Sequence, residues 1–159
     1  MSMYFEDFHA GQQFVTARRT VTEYDVMAFA GLSGDFNPLH TDALYAATTP
    51  YGERIAHGLL TLAITSGLIN QLGLTTDTTL ALLGFEQLRF TGAVRFGDTL
   101  QARVRIAQTR RSSRPGRGIV VCEITTVNQR GEPVLEATAA LLLRARDDGS
   151  APAAGAGRE

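Results

Sequence analysis

The sequence predicts an α+β domain in which an antiparallel sheet wraps around one buried helix. One segment, HGLLTLAITSGLINQLG (residues 57–73), is apolar around nearly its whole circumference, and the segments after it change to a period of two. With 159 residues, 44% of them hydrophobic, the chain is long enough for one substantial core. A single central helix lets every strand bury its apolar face against the same element. We assign residues 1–146 to this domain and the last residues, 147–159, to a disordered tail, because DDGSAPAAGAGRE is small and polar with no apolar pattern.

Taken in order, the first element is a short strand, Gln12 to Arg19. TVTEYDVMAFAGLSG then reads as a helix whose start is marked by Thr22 as cap and Asp25 three residues on, an acidic variant of the capping box. Val26, Met27, Phe29 and Ala30 make its apolar face, and Gly31 and Gly34 stop it. Thr41 to Ala47 has the makings of one or two further helical turns, again started by a threonine.

In the all-round helix, Leu59, Leu60, Ile64 and Leu68 are joined by Leu62, Ala63, Ile69 and Leu72, so it should be buried on most sides. Interspersed Ser, Thr, Asn and Gln make it too short and too polar to span a bilayer, which takes about 20 apolar residues. From Thr79 the alternation begins. Leu100, Ala102, Val104 and Ile106 alternate with Gln101, Arg103 and Arg105; Thr79 to Phe90, Gly118 to Asn128 and Pro133 to Arg144 look like three more strands. Asn128 to Gly131 suits a hairpin turn.

A formal net charge of −1 gives no reason to expect nucleic acid or an anionic membrane surface as partner. The lone Cys122 excludes an internal disulfide and reads as a small buried filler. The opening MSMYFEDFHA has no basic start followed by an apolar stretch, so no secretory signal is expected and the protein is expected to be cytoplasmic.

Chemistry is concentrated in GDFNPLH, residues 34–40. Asn37-Pro38 is turn chemistry and stiffens the loop. Asp35 and His40 then bring a carboxylate and an imidazole to one place, two groups suited to paired proton transfer. Asp35, His40 and His57 could in principle gather around a metal, but no HExxH, cysteine cluster or close histidine pair supports this, and we expect no metal. A GxSxG elbow is likewise missing.

FAGLSGDFNPLHTDALYA, followed after a spacer by RIAHGLLTLAITSGL, resembles the MaoC-like family of hot-dog dehydratases, which includes the R-specific enoyl-CoA hydratases. FTGAVRFGDTL, Phe90 to Leu100, looks like that family's strand with a Gly-Asp turn, so the resemblance covers most of the chain. It implies a hot-dog fold, no cofactor, and Asp35 and His40 as the catalytic pair holding one water between them. Adding that water across the C2=C3 bond of an enoyl thioester needs a proton removed from water and one delivered to C2. Which of the two acts as base is left open by a coupled pair; the assignment we favour has Asp35 activate water and His40 handle the C2 proton.

The resemblance also matches the backbone N–H of Gly58 to the donor that stabilises the enolate oxygen, which agrees with an unpaired N–H at a helix N-terminus. Ser66 matches a position near the pair, Asn37 belongs to the loop and is grouped with Ser66 as substrate-binding, and His57 reads as structural. Arg110, Arg111, Arg114 and Arg117 crowd one loop, either as a solvated tip or as contacts to the phosphates of a pantetheine arm. The partners implied are an acyl-CoA thioester as substrate and a second copy of the chain, in a homodimer or higher oligomer joined through an exposed sheet edge.

Two other functions fit the same fold. A thioesterase tends to carry its carboxylate on or near the central helix, but residues 57–73 contain no Asp or Glu. A non-catalytic acyl-CoA-binding subunit would be favoured only if Asp35 or His40 were missing.

Overall fold

The computed structural model describes residues 2–146, and the expected tail lies outside them. Strands β1 (Gln13–Thr20), β2 (Thr79–Arg89), β3 (Thr99–Arg111), β4 (Arg117–Val127) and β5 (Pro133–Arg144) form one sheet in the order β1-β3-β4-β5-β2. Every neighbouring pair is antiparallel. Between β1 and β2 the chain forms helices α1 (Glu23–Ser33), α2 (Pro38–Thr41), α3 (Ala43–Ala47) and α4 (Gly58–Asn70). This is the hot-dog arrangement: β1 and β2 take the two edges, and α4 lies in the hollow of the sheet.

Local chemistry explains the boundaries. Thr22 and Asp25 close a reciprocal capping box at the start of α1, and Gly34, at φ +77°, caps its end in the left-handed region. Gly31 lies inside the helix and does not stop it, because no turn requires its freedom there. Met27, expected on the buried face, is 38% exposed; Val26 and Ala30 carry the packing. Nor does Thr41 start the next turns. Asn37 caps α2 with Pro38 behind it, and Asp42 caps α3 by accepting from the N–H groups of Leu44 and Tyr45. The hairpin turn forms as expected: the N–H of Gly131 donates to the carbonyl of Asn128 at 3.0 Å.

Leu60, Ile64 and Leu68 of α4 pack with Val21, Val26, Val94, Leu100 and Val134. Burial of such side chains stabilises by about 1.5–3 kcal/mol each, so three in a row hold the helix to the sheet. The opposite stripe, Leu59, Ala63, Ser66, Gly67 and Asn70, is exposed. An apolar circumference thus does not mean all-round burial within one chain. A further departure concerns residues 90–98, which form no strand. An isolated bridge joins Ile55 and Arg95 there, and the Gly97-Asp98 turn leads into β3.

Candidate active site

The loop between α1 and α2 is built by its own side chains. The Ser33 hydroxyl accepts from the N–H of Asp35, the Asp35 carboxylate accepts from the N–H of Asn37, and the Asn37 side chain accepts from the N–H of Leu39. Thr41 closes it by donating its hydroxyl toward the carbonyls of Phe36 and Asn37. Asn37 is therefore engaged in capping α2, a role in shaping the loop.

The other half of the site is the segment leading into α4. It is pinned to the loop before β3, where the N–H of Ala56 donates to the carbonyl of Val94 at 2.8 Å. That loop is in turn held by the buried Asp98, whose carboxylate accepts from the N–H of Arg95 and from the Gln129 amide. Gly58 then opens α4 with its N–H free of intrahelical partners, as the first residues of any helix are.

These halves meet at Asp35, His40 and His57. A carboxylate oxygen of Asp35 and one ring nitrogen from each histidine lie within 4.8 Å of one another. His40 is buried at 9% exposure, while Asp35 is exposed. The Nδ1 of His40 lies 2.7 Å from the carbonyl of Ile55. A carbonyl only accepts, so this nitrogen carries the hydrogen of the neutral ring, and Nε2 is left as the atom that exchanges protons. The gathering of all three residues is closer than their spacing in sequence suggested, and it is the donor set that the metal reading had considered.

His40 and Gly58 also line a cleft of about 370 Å³, together with Tyr51, Thr61, Phe90 and Thr91. Phe90 sets the wall against Gly58: a Cβ at Gly58 would meet its ring at 3.0 Å. Sequence reasoning did not single out Phe90 or Thr61 as site residues, and no local pattern marks them, since the sheet edge and the helix bring them there.

Ser66 does not join this group. It lies two turns further along α4 and lines a separate, mostly apolar pocket of about 220 Å³ with Leu62, Ile69, Leu82, Phe85 and Leu141. Arg111 pairs with Glu6, and Arg117 lines a shallow cleft with Arg144 and Arg146 at the far end of β4 and β5 from His40. Cys122 is buried, and burial pushes its thiol up to about 11, which suits a filler.

Comparison with known proteins places the chain in a family. Residues 7–128 match the family model described as MaoC like domain. The (R)-specific enoyl-CoA hydratase of Rhodospirillum rubrum is 36% identical over 143 residues, 90% of this chain and 93% of that protein. Protein MaoC of Klebsiella aerogenes is 41% identical over 101 residues, 64% of this chain, and the match spans 30% of that longer protein. Among solved structures, the MaoC-like dehydratase from Rhodospirillum rubrum superimposes with a TM-score of 0.80 at 32% identity, covering 91% of this chain and 99% of that one. Among the described residues, no helix is long and apolar enough to cross a membrane.

Proposed function

The chain belongs to the MaoC-like domain family and is a hydro-lyase, and on that premise we propose that it reversibly hydrates a trans-2-enoyl-CoA, or a related thioester, to the R-3-hydroxyacyl thioester, with Asp35 and His40 as the acid-base pair. The observation that carries this reading is the placement of the Asp35 carboxylate within 4.8 Å of a ring nitrogen of His40, beside a cleft that Gly58 opens onto.

With Asp35 as base and His40 as acid, the proton balance closes within the pair. In hydration the pair enters with one exchangeable proton, on His40 Nε2. Asp35 takes a proton from water as the oxygen attacks C3, and His40 delivers its own to C2 from the same face, which is syn addition. The pair ends with one proton, now on Asp35, and its return to His40 completes the cycle. Charge that builds on the thioester oxygen meets the Gly58 N–H at the positive end of α4.

Gly58 and Ser66 are eight residues apart, about 12 Å along the helix. We place the acyl chain along the exposed stripe of Leu59, Ala63 and Ser66, running toward the apolar pocket that Ser66 lines. A second copy of the chain, paired through the free outer edge of β2, would cover that stripe; Leu80, Leu82 and Leu83 on this strand are all at least 40% exposed. We infer that the protein works as a homodimer or higher oligomer in the cytoplasm without a cofactor.

The test is loss of enoyl absorbance with crotonyl-CoA, with product chirality determined, for the wild type, Asp35→Asn and His40→Ala, before and after dialysis against a chelator. Hydration to the R product that collapses in both variants and survives dialysis supports the proposal. Release of free CoA thiol would point to a thioesterase instead, and loss on dialysis would restore the metal reading. Sedimentation of the wild type at the mass of a monomer would refute the assembly.

A further inference from the structure

His57 sits immediately before Gly58 and is 2% exposed, yet nothing in the acid-base scheme uses it. Its ring touches both members of the pair. The Nε2 lies 2.9 Å from the backbone carbonyl of Asp35. Because that carbonyl only accepts, Nε2 carries the hydrogen. The face of the ring lies against His40, with centroids 3.8 Å apart and planes inclined by 32°. Phe29 lies against the same ring at 4.9 Å, which leaves it little room to turn.

We propose that His57 is a positioning residue: one imidazole sets both the Asp35 backbone and the ring plane of His40. The inference rests on the reading of Asp35 and His40 as the pair. Each contact supplies a constraint that is otherwise thin. Among the described residues His40 has one ring hydrogen bond, to Ile55, and a single hydrogen bond fixes a point about which the ring still rotates. A face contact fixes the plane and so the direction in which Nε2 aims. Asp35 is exposed on its loop, and its own carboxylate is engaged only with the N–H of Asn37 among the described residues. Tying its carbonyl to a residue of the α4 entry registers the whole loop against Gly58.

The remaining nitrogen argues that the ring is there for its N–H and its face. His57 Nδ1 is buried with no hydrogen-bond partner among the described residues. An unpaired buried nitrogen weakens a fold. A phenylalanine would fill the same space without that penalty, so packing alone gives no reason for histidine at this position.

The test compares His57→Phe, which keeps the ring and removes the donor, with His57→Gln, which keeps a donor and removes the ring face, in the full chain. The readouts are kcat and KM on crotonyl-CoA and the melting temperature, with Asp35→Asn and His40→Ala measured alongside. A misplaced catalytic group lowers rate roughly 10–100-fold, so His57→Phe is expected to lose that much in kcat with KM and melting temperature held or the latter raised, and His57→Gln to recover part of it. Wild-type kcat in His57→Phe overturns the inference, and so does a kcat loss that tracks lost melting temperature. If Asp35→Asn and His40→Ala collapse while His57→Phe does not, this inference alone fails; if those two variants stay active, the catalytic assignment fails with it. Should His57→Phe not fold, His57→Gln decides by itself: reduced kcat at unchanged KM and melting temperature supports the positioning role, and unchanged kcat overturns it.

Discussion

The helix that presents Gly58 is tied to the sheet by a buried pair of hydroxyls, and its energetics can be worked from the hydrogen positions. Thr65 of α4 is 1% exposed and Thr126 of β4 is 0% exposed, with their oxygens 2.8 Å apart. The Thr65 oxygen also lies 2.8 Å from the carbonyl of Thr61, which can only accept. Each hydroxyl has one hydrogen. Thr65 therefore donates to Thr61, and Thr126 donates to Thr65. The two Thr→Val substitutions, nearly equal in shape, should then differ. Thr126→Val removes a donor and leaves Thr65 still bonded to Thr61, a loss of about 0.5–1.5 kcal/mol. Thr65→Val leaves the Thr126 hydroxyl buried with nothing to donate to, a loss of about 1–3 kcal/mol. The double variant leaves no stranded donor and should lose less than the sum of the singles, with a coupling of at least about 0.5 kcal/mol. Urea denaturation of the four proteins measures all three quantities. A larger loss for Thr126→Val than for Thr65→Val, or additivity within about 0.3 kcal/mol, would refute the donor order and the coupling.

Three further outcomes are expected. Gly58→Ala presses a Cβ on the Phe90 ring at the cleft wall, at 3.0 Å, so the ring must give way by a few tenths of an ångström; kcat/KM falling roughly 10–100-fold with little change in melting temperature is the signature, and full activity would move the thioester away from Gly58. Burial alone would raise the acid pKa of Asp25, but hydrogen bonds from Thr22 and the Arg19 charge outweigh it and hold the carboxyl below its usual value. Its stabilisation is therefore complete above roughly pH 4 and is lost as the pH falls through the lowered folded value: the stability gap between wild type and Asp25→Ala, from denaturation at several pH values, should be level at neutral pH and narrow in acid. Cys122, buried and with its thiol pushed up to about 11, should react with a bulky thiol reagent at neutral pH far more slowly in the native protein than in the urea-unfolded one; equal labelling rates would contradict its burial.

What could be read from the sequence was what is encoded locally. The capping box of Thr22 and Asp25, the turn at Asn128 to Gly131 and the alternation along β3 depend on residues a few positions apart, and each appears where it was expected. The GDFNPLH loop is of the same kind, since Ser33, Asp35, Asn37 and Thr41 hold one another. Long-range features were less legible. Periodicity reports that a face is apolar and not what covers it, so the exposed stripe of α4 read as core. Ser66 illustrates the same limit: its spacing from Gly58 is that of a helix, but which pocket it lines is set by Leu82, Phe85 and Leu141 from distant strands.

This division between local and long-range coding has a consequence for catalysis. The Asp35 loop stiffens itself, and α4 is set by the sheet through Leu60, Ile64, Leu68 and the Thr65–Thr126 pair. Two rigid bodies built independently do not by themselves hold the Asp35–His40 pair in register with Gly58 at the start of α4. They need contacts that cross between them, and the structure gives two such hydrogen bonds at the pair: His40 Nδ1 to the carbonyl of Ile55, and His57 Nε2 to the carbonyl of Asp35. The two run in opposite directions, a loop histidine reaching the α4 entry and an α4-entry histidine reaching the loop. A longer backbone bond, from the N–H of Ile55 to the carbonyl of Leu39 at 3.4 Å, also crosses, so loss of either histidine bond loosens the seam without parting it. Activity should therefore be far more sensitive than stability to substitutions at this seam.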